Sequence, residues 1–378
     1  KDSVRADVSA YQCLYRDLQE NFQHRSPFRM APNELLRVLE AVLSYVPSST
    51  SLAEAGDISL YDHLRLTAAY AAAMYQYLDE QGVRDYRAAT TGTGAERYRD
   101  EAMYLLASGD ISGIQSFIYT IPSKGALKSL RGRSSYLELL LEHTVDEILT
   151  KLALSRSSLL YTGGGHFYLL LPNTAKARKV LAEMGEKINS WMMKQFADRL
   201  YLALAWTPCT AKDFLGEGTR AAFQRVNEAL AKKKLQRYSP EQLQQLFDPM
   251  SSCNRVQDAA RECAVCHTST VELAPYPASP ELAACPTCAG LYTFGERVLN
   301  HPVLCVGAQK GEASVPLPGE QGDVFLSAEA LADVQSGERP FSRLYVKNEA
   351  LTGEGLATHL WMGDYVARDE RGHVLDFE

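Results

Sequence analysis

The sequence predicts an α+β protein in three parts: a helical N-terminal segment, a ferredoxin-like βαββαβ unit, and a helical lobe around a zinc site. Three observations predict it. Apolar positions recur at helical spacing before residue 86, strand-like and helix-like runs then follow in the order β-α-β-β-α-β, and two Cys-x-x-Cys pairs come after them. The 378 residues leave room for two or three domains, and a hydrophobic content of 46% is ample for buried cores. A net charge of −7 argues against wholesale wrapping of nucleic acid, though local basic strips can still bind it.

Taken in order, Leu35, Leu36, Val38, Leu39, Val42, Leu43 and Val46 mark one helix, ended by "PSST". A second runs from about Asp62 to Leu78, with an alanine-rich face suited to close helix packing. The polar, glycine-bearing stretch 84–101 reads as a linker, placing a boundary near residue 90. "AMYLLASGD" is a strand ending at Gly109 and Asp110, "ISGIQSFIYTI" turns into a helix, and a longer helix starts at Arg133. Two strands then flank a glycine cluster in "SSLLYTGGGHFYLLLPNTA". An amphipathic helix carries Val180 to Phe196, and "YLALAWTP" is the fourth strand. Residues 207–310 read as a helical lobe with the cysteines embedded, and 311–378 as short strands and turns.

The four cysteines give the most specific chemical signal. Cys263, Cys266, Cys285 and Cys288 form C-x2-C-x18-C-x2-C, in which each short pair lets two thiolates share one tetrahedral ion. A four-thiolate zinc site leaves no position for water, so its expected role is to stabilise the lobe; disulfide or redox chemistry is the alternative. His267, Cys13, Cys209, Cys253 and Cys305 read as bystanders.

The strand-turn-helix "LLASGDISGIQSF" makes Asp110, Ser112 and Gly113 candidates for nucleotide contact. Asp110 could meet a metal ion or a ribose hydroxyl, Ser112 could cap the helix or touch phosphate, and Gly113 lets backbone come close to a ligand. An ordinary capped helix is the alternative. The hairpin adds to the case. In palms of the diguanylate-cyclase type its turn reads Gly-Gly-Asp-Glu-Phe, and here it reads Gly163, Gly164, Gly165, His166, Phe167. Two-metal catalysis needs acidic oxygens to hold ions about 3.5–4 Å apart, which glycine and histidine do not supply. The hairpin is therefore expected to be catalytically silent, with Gly163 and Gly164 still able to lie against a nucleotide; the bland reading is a plain glycine hairpin. Lys124, Lys128, Arg131 and Arg133 form a basic strip suited to phosphate or RNA backbone, or simply to solvent. Lys232 to Lys234 with Arg237 read as a solvated face, and Asp62 and His63 as a helix start whose histidine is a cap or a packed residue, with a metal ligand as the alternative.

Together, "PSSTSLAEAGDISLYDHLRLTAAYAAAMY", "GDISGIQSFIY", "GALKSLRGRSSYLELL", "TGGGHFYLLLPN" and the paired "CAVC" and "CPTC" resemble the large signature subunit, a polymerase-cyclase, of type III-A CRISPR interference complexes. The resemblance implies the end of an HD-type nuclease domain at 1–90, a first palm at 91–206, the zinc lobe at 207–310, and strands leading toward a second palm at 311–378. It also implies partnership with the other subunits, crRNA, target RNA and ATP. In that family the second palm's Gly-Gly-Asp-Asp loop makes cyclic oligoadenylates from ATP with magnesium or manganese, while the first palm helps hold ATP. The departures are equally specific: neither a Gly-Gly-Asp-Asp loop nor a nuclease His-Asp doublet is present, and only His63 resembles a residue of the HD domain. The chain by itself is expected to make no cyclic oligoadenylate and cut no DNA. Two other readings stand beside this one: a non-catalytic scaffold, and an independent degenerate-cyclase nucleotide sensor.

The chain opens without a methionine and ends after a strand-like piece, so both ends read as boundaries within a longer protein. No basic-apolar leader opens it, and no apolar run approaches the roughly 20 residues that span a bilayer. The expected setting is the cytoplasm, without a membrane partner.

Overall fold

The computed structural model describes residues 8–23, 27, 30–49, 51, 56–251, 254, 261–311, 313–335, 340–348 and 357–360. The first part is helical as expected: α1 (Val8–Gln23), α2 (Pro32–Leu43) and α3 (Leu60–Glu80). Ser59 starts α3 by accepting the Asp62 N–H at 2.9 Å. The stretch 84–101, expected as a linker, is instead two short helices, α4 (Tyr86–Thr90) and α5 (Gly92–Arg99). Asp85 caps the first of them through the Ala88 N–H.

The central unit follows with β1 (Tyr104–Ser112), α6 (Ile114–Tyr119), α7 (Ala126–Lys151), β2 (Leu159–Gly163), β3 (His166–Pro172), α8 (Ala175–Phe196) and β4 (Tyr201–Cys209). The sheet order is β2-β3-β1-β4 with every neighbouring pair antiparallel, the arrangement of a split βαβ fold. Leu105 and Ala107 of β1 enter one core with α7 and α8, while Tyr104 and Leu106 enter a second core with α3 and the later helix α9 (Glu217–Leu235). Both faces of the sheet are covered, which is why β1 reads as a nearly continuous apolar run. The alanine-rich face of α3, expected to meet another helix, lays Ala69 and Ala73 against this sheet.

Helix α7 begins at Ala126, a full two turns before the expected Arg133. Its glycine serves a helix crossing. A β-carbon on Gly132 would lie 1.9 Å from the Leu291 carbonyl oxygen, and one on Gly295 would lie 2.0 Å from that of Lys128. Two helices can therefore approach backbone to backbone at this point, and only glycine permits it.

The remainder comprises α10 (Pro240–Phe247), the hairpin β5 (Ala274–Tyr276) and β6 (Ser279–Ala284), α11 (Pro286–Asn300), β7 (Val303–Gly307), β8 (Val315–Pro318), β9 (Asp323–Glu329), α12 (Leu331–Gln335), β10 (Arg343–Lys347) and β11 (Ala357–Leu360). The cysteine lobe thus carries strands as well as helices. The last segment, read from sequence as weak strands and turns, joins β7 in a five-stranded sheet in the order β11-β10-β7-β9-β8, so the boundary expected at 310 falls inside that sheet. Helix α7 lies between the two sheets, so it is buried nearly all round, and Arg133, Glu142, His143 and Asp146 are buried along with its leucines. Its polar contacts are also interior: Tyr136 donates to the Pro316 carbonyl at 2.8 Å, and the Tyr345 hydroxyl donates to Asp146 at 2.9 Å. Arg156 binds both Glu142 and Asp146 of α7. Among the described residues, no helix is long and apolar enough to cross a membrane.

Candidate nucleotide half-site and metal centre

The hairpin closes through Gly164 and Gly165, both at positive φ (60° and 85°), as a two-residue turn between antiparallel strands requires. Cross-strand pairing sets Asp110 directly opposite His166, and the Ile111 N–H donates to the Gly165 carbonyl at 2.9 Å. Strand β1, expected to end at Gly109 and Asp110, continues to Ser112, and pairing brings its "GDISG" end and the glycine hairpin, 50 residues apart in sequence, to one end of the sheet. Gly113 occupies the position before α6 at φ 93°, with its missing β-carbon only 1.9 Å from the Arg199 carbonyl oxygen. No side chain caps α6, so Ser112 does not serve as its cap.

Asp110 lies in a hydrogen-bonded chain. One carboxylate oxygen meets His166 Nδ1 at 3.0 Å, and the other meets Lys234 Nζ at 2.9 Å. His166 Nε2 in turn lies 2.9 Å from Ser108 Oγ, whose hydroxyl donates to the Phe167 carbonyl at 2.9 Å. Ser108 is fully buried, so the chain is anchored in the sheet and opens outward at Lys234. Burial pushes the Asp110 carboxyl upward, but the bonds from His166 and Lys234 outweigh it and hold the group below its ordinary range. Lys234, read from sequence as part of a solvated face, is thus an ion-pair partner within this site. Helix α9 delivers it by packing across the sheet, where Asn227 accepts the Tyr168 hydroxyl at 2.9 Å and Phe223 meets the Tyr168 ring. Sequence spacing carries no signal for this placement, because α9 lies beyond the βαββαβ unit.

The basic strip is largely absorbed by the cysteine lobe. Lys124 pairs with Glu281 at 2.6 Å, Lys128 with Glu296 at 3.2 Å, and Arg131 donates to the Gly295 carbonyl at 3.3 Å. Arg133 departs furthest from the expectation of a phosphate or RNA contact. It is 2% exposed, donates to the Phe117 carbonyl at 3.0 Å and to Cys288 Sγ at 3.1 Å, and lies over the Phe117 ring. An arginine this deep cannot meet a polymer backbone. Its placement follows from the glycine crossing, which leaves it facing the cysteines.

Cys263, Cys266, Cys285 and Cys288 converge with their sulfurs all within 4.8 Å of one another, the only such group of potential metal ligands among the described residues. Backbone N–H groups of Cys266, Cys285 and Cys288 point at neighbouring sulfurs at 3.3–3.5 Å. Four sulfurs so close do not ionise together unaided. Bonds from neighbouring thiols hold Cys266 well below the ordinary thiol range, while those same neighbours push Cys285 and Cys288 well above it. A divalent ion relieves this conflict by letting every sulfur act as thiolate, so the donor set fits a closed tetrathiolate site. His267 is turned toward Glu262 at 2.9 Å and stays outside the cluster. His63 is exposed on α3 and joins no ligand cluster among the described residues; Cys253 lies outside them.

With this geometry, comparison with known proteins is decisive. The chain is 40% identical over 392 residues to a Mycobacterium tuberculosis protein named CRISPR system single-strand-specific deoxyribonuclease Cas10/Csm1 (subtype III-A). A Streptococcus thermophilus protein of the same name is 38% identical over 339 residues. This chain belongs to the Cas10/Csm1 family. A family model described as Csm1 subunit domain B matches residues 103–249, the central unit together with α9 and α10. The alignments cover 99% and 88% of this chain but 46% and 42% of those two relatives, so the chain spans less than half the length of either. Among solved structures, the apo Csm1-Csm4 cassette aligns with a TM-score of 0.68 at 29% identity, covering 97% of this chain and 42% of that one. The cassette in complex with one ATP gives 0.68 at 30% identity, covering 97% and 43%.

Proposed function

We propose that this chain forms the nucleotide-holding half of the large subunit of a crRNA-guided type III-A CRISPR complex, in which the complete subunit makes cyclic oligoadenylates from ATP on target-RNA binding. Where its HD domain is intact, the complete subunit also cleaves single-stranded DNA. The observation that carries this reading is the pairing of the Asp110 end of β1 with a Gly-Gly-Gly-His hairpin, which supports a palm whose second and third acids are replaced. Solved Csm1-Csm4 cassettes with ATP and with cA4, which align at about 30% identity, support it.

In this reading Asp110, Ser112, Gly113, Gly163 and Gly164 contact nucleotide. Residues 91–206 act as the first palm, 1–90 as the end of an HD-type domain, 207–310 as the metal lobe and 311–378 as the approach to a second palm. Zinc occupies the four cysteines. Other subunits, crRNA and target RNA are the partners, with Lys124, Lys128 and Arg131 serving chiefly to hold the lobe against the palm. The chemistry open to these residues by themselves is binding and orientation: Asp110 faces a ribose or an amine, and the turn backbone faces phosphate. Equilibrium dialysis with ATP and product analysis test this. ATP retention with no cyclic oligoadenylate formed in magnesium or manganese is expected. Product formation by the chain overturns the silent-palm reading, and absence of ATP binding favours a pure scaffold.

A further inference from the structure

The carboxylate of Asp110 has no oxygen left unengaged. His166 Nδ1 takes one at 3.0 Å and Lys234 Nζ the other at 2.9 Å, and His166 is itself fixed by the buried Ser108. In acid-bearing palms the equivalent charge is met by divalent ions held between several carboxylates. Here the remaining turn positions are glycine and histidine, so the negative charge is a single carboxylate, and an ammonium group already lies against it. The lysine comes from the last turn of α9, where a cation is also favoured by the helix C-terminus. Lys234 is 39% exposed, so its remaining N–H groups reach solvent at the mouth of the site.

We propose that Lys234 is a built-in counter-ion that occupies the place of a divalent metal on Asp110, so that this half-site takes the phosphates of a nucleoside triphosphate on an ammonium group instead of a protein-bound metal ion. The proposal rests on the nucleotide-holding reading above and adds how the charge is met. An ammonium tied to one carboxylate keeps two further donors, enough to serve as a point-charge contact for phosphate. His166 holds the other carboxylate oxygen, which fixes the orientation in which Lys234 is presented. Lys234 is thus a binding residue, and His166 and Ser108 are positioning residues.

Two measurements on the 378-residue chain test it. In the first, a fluorescent N-methylanthraniloyl ATP is titrated in EDTA and in magnesium. Affinities within twofold of each other are expected for the wild type, with a tenfold or greater loss for K234M in EDTA and retention within threefold for K234R. A tenfold loss of wild-type binding in EDTA, or unchanged binding by K234M, overturns the proposal. In the second, manganese is added without nucleotide and paramagnetic broadening of the His166 ring signals, assigned through H166Q, is read by NMR. Unbroadened signals in the wild type and broadened signals in K234M support it. Broadening in the wild type, or none in K234M, overturns it. Failure of the wild type to bind the ATP probe in either buffer refutes the nucleotide reading, while the manganese measurement still decides the counter-ion.

Discussion

Replacing Arg133 by methionine tests the coupling between the cysteine cluster and the βαββαβ unit. The guanidinium is 2% exposed and bridges two elements, donating at 3.0 Å to the Phe117 carbonyl in α6 and at 3.1 Å to Cys288 Sγ. Methionine fills much of the volume but supplies no donor. A hydrogen bond to or from a charged group contributes about 1.5–3 kcal/mol, and breaking a buried charged interaction from one side costs about 3–5 kcal/mol. The two lost bonds therefore predict a loss of about 3–5 kcal/mol, a large share of the roughly 5–15 kcal/mol that stabilises a typical protein. With a metal bound, a tetrathiolate site carries surplus negative charge that Arg133 offsets, so metal should also be lost faster. Thermal and urea unfolding, with zinc release followed by a chromogenic chelator, measure both effects. We expect release to accelerate at least tenfold in R133M and less in R133K, which keeps the charge but not the fork. Stability within about 1 kcal/mol of wild type and an unchanged release rate would refute the reasoning.

Gly113→Ala places a β-carbon 1.9 Å from the Arg199 carbonyl oxygen at a φ of 93°. Left-handed backbone alone costs about 1–2 kcal/mol, so a loss above that is expected in urea unfolding, with ATP binding weakened as the turn shifts. Arg156→Met strands Glu142 in the interior and leaves Asp146 to Tyr345 and Arg343, and a destabilisation of about 3–5 kcal/mol is expected by the same measurement. For Asp110, whose folded-state pKa is depressed below 3.8, the stabilisation is fully present above that value and is lost as pH falls through the lower, folded pKa. Acid unfolding of D110N should therefore show a shallower dependence on pH below about 4 than the wild type, and identical profiles would contradict the assigned pairing.

Much of the fold was legible because it depends on local period and turn chemistry. The βαββαβ order followed from apolar runs of strand length alternating with amphipathic helices, and the positive-φ turn at Gly164 and Gly165 from the glycine cluster. The paired cysteines announced their cluster through spacing, since two thiolates three residues apart can share one ion. Less legible was whatever depends on a partner distant in sequence. The last segment looked like weak strands because its apolar faces make sense only against α7, and the start of α7 at Ala126 was hidden because the helix that its glycine admits, α11, lies more than 150 residues away.

The sequence alone therefore determined which chemistry is available: four cysteines spaced to share a metal, one carboxylate where two-metal chemistry needs several, and a glycine turn that leaves backbone open. Tertiary structure alone decided which charges meet. It buried Arg133 against Cys288 and sent Lys234 across the sheet to Asp110, so that of two basic strips the one read as suited to phosphate or to solvent holds the lobe and the one read as a solvated face enters the candidate site. The physical reason is that charge type is a property of each residue, whereas the partner of a charge is set by helix crossings and sheet register between segments that local pattern does not connect.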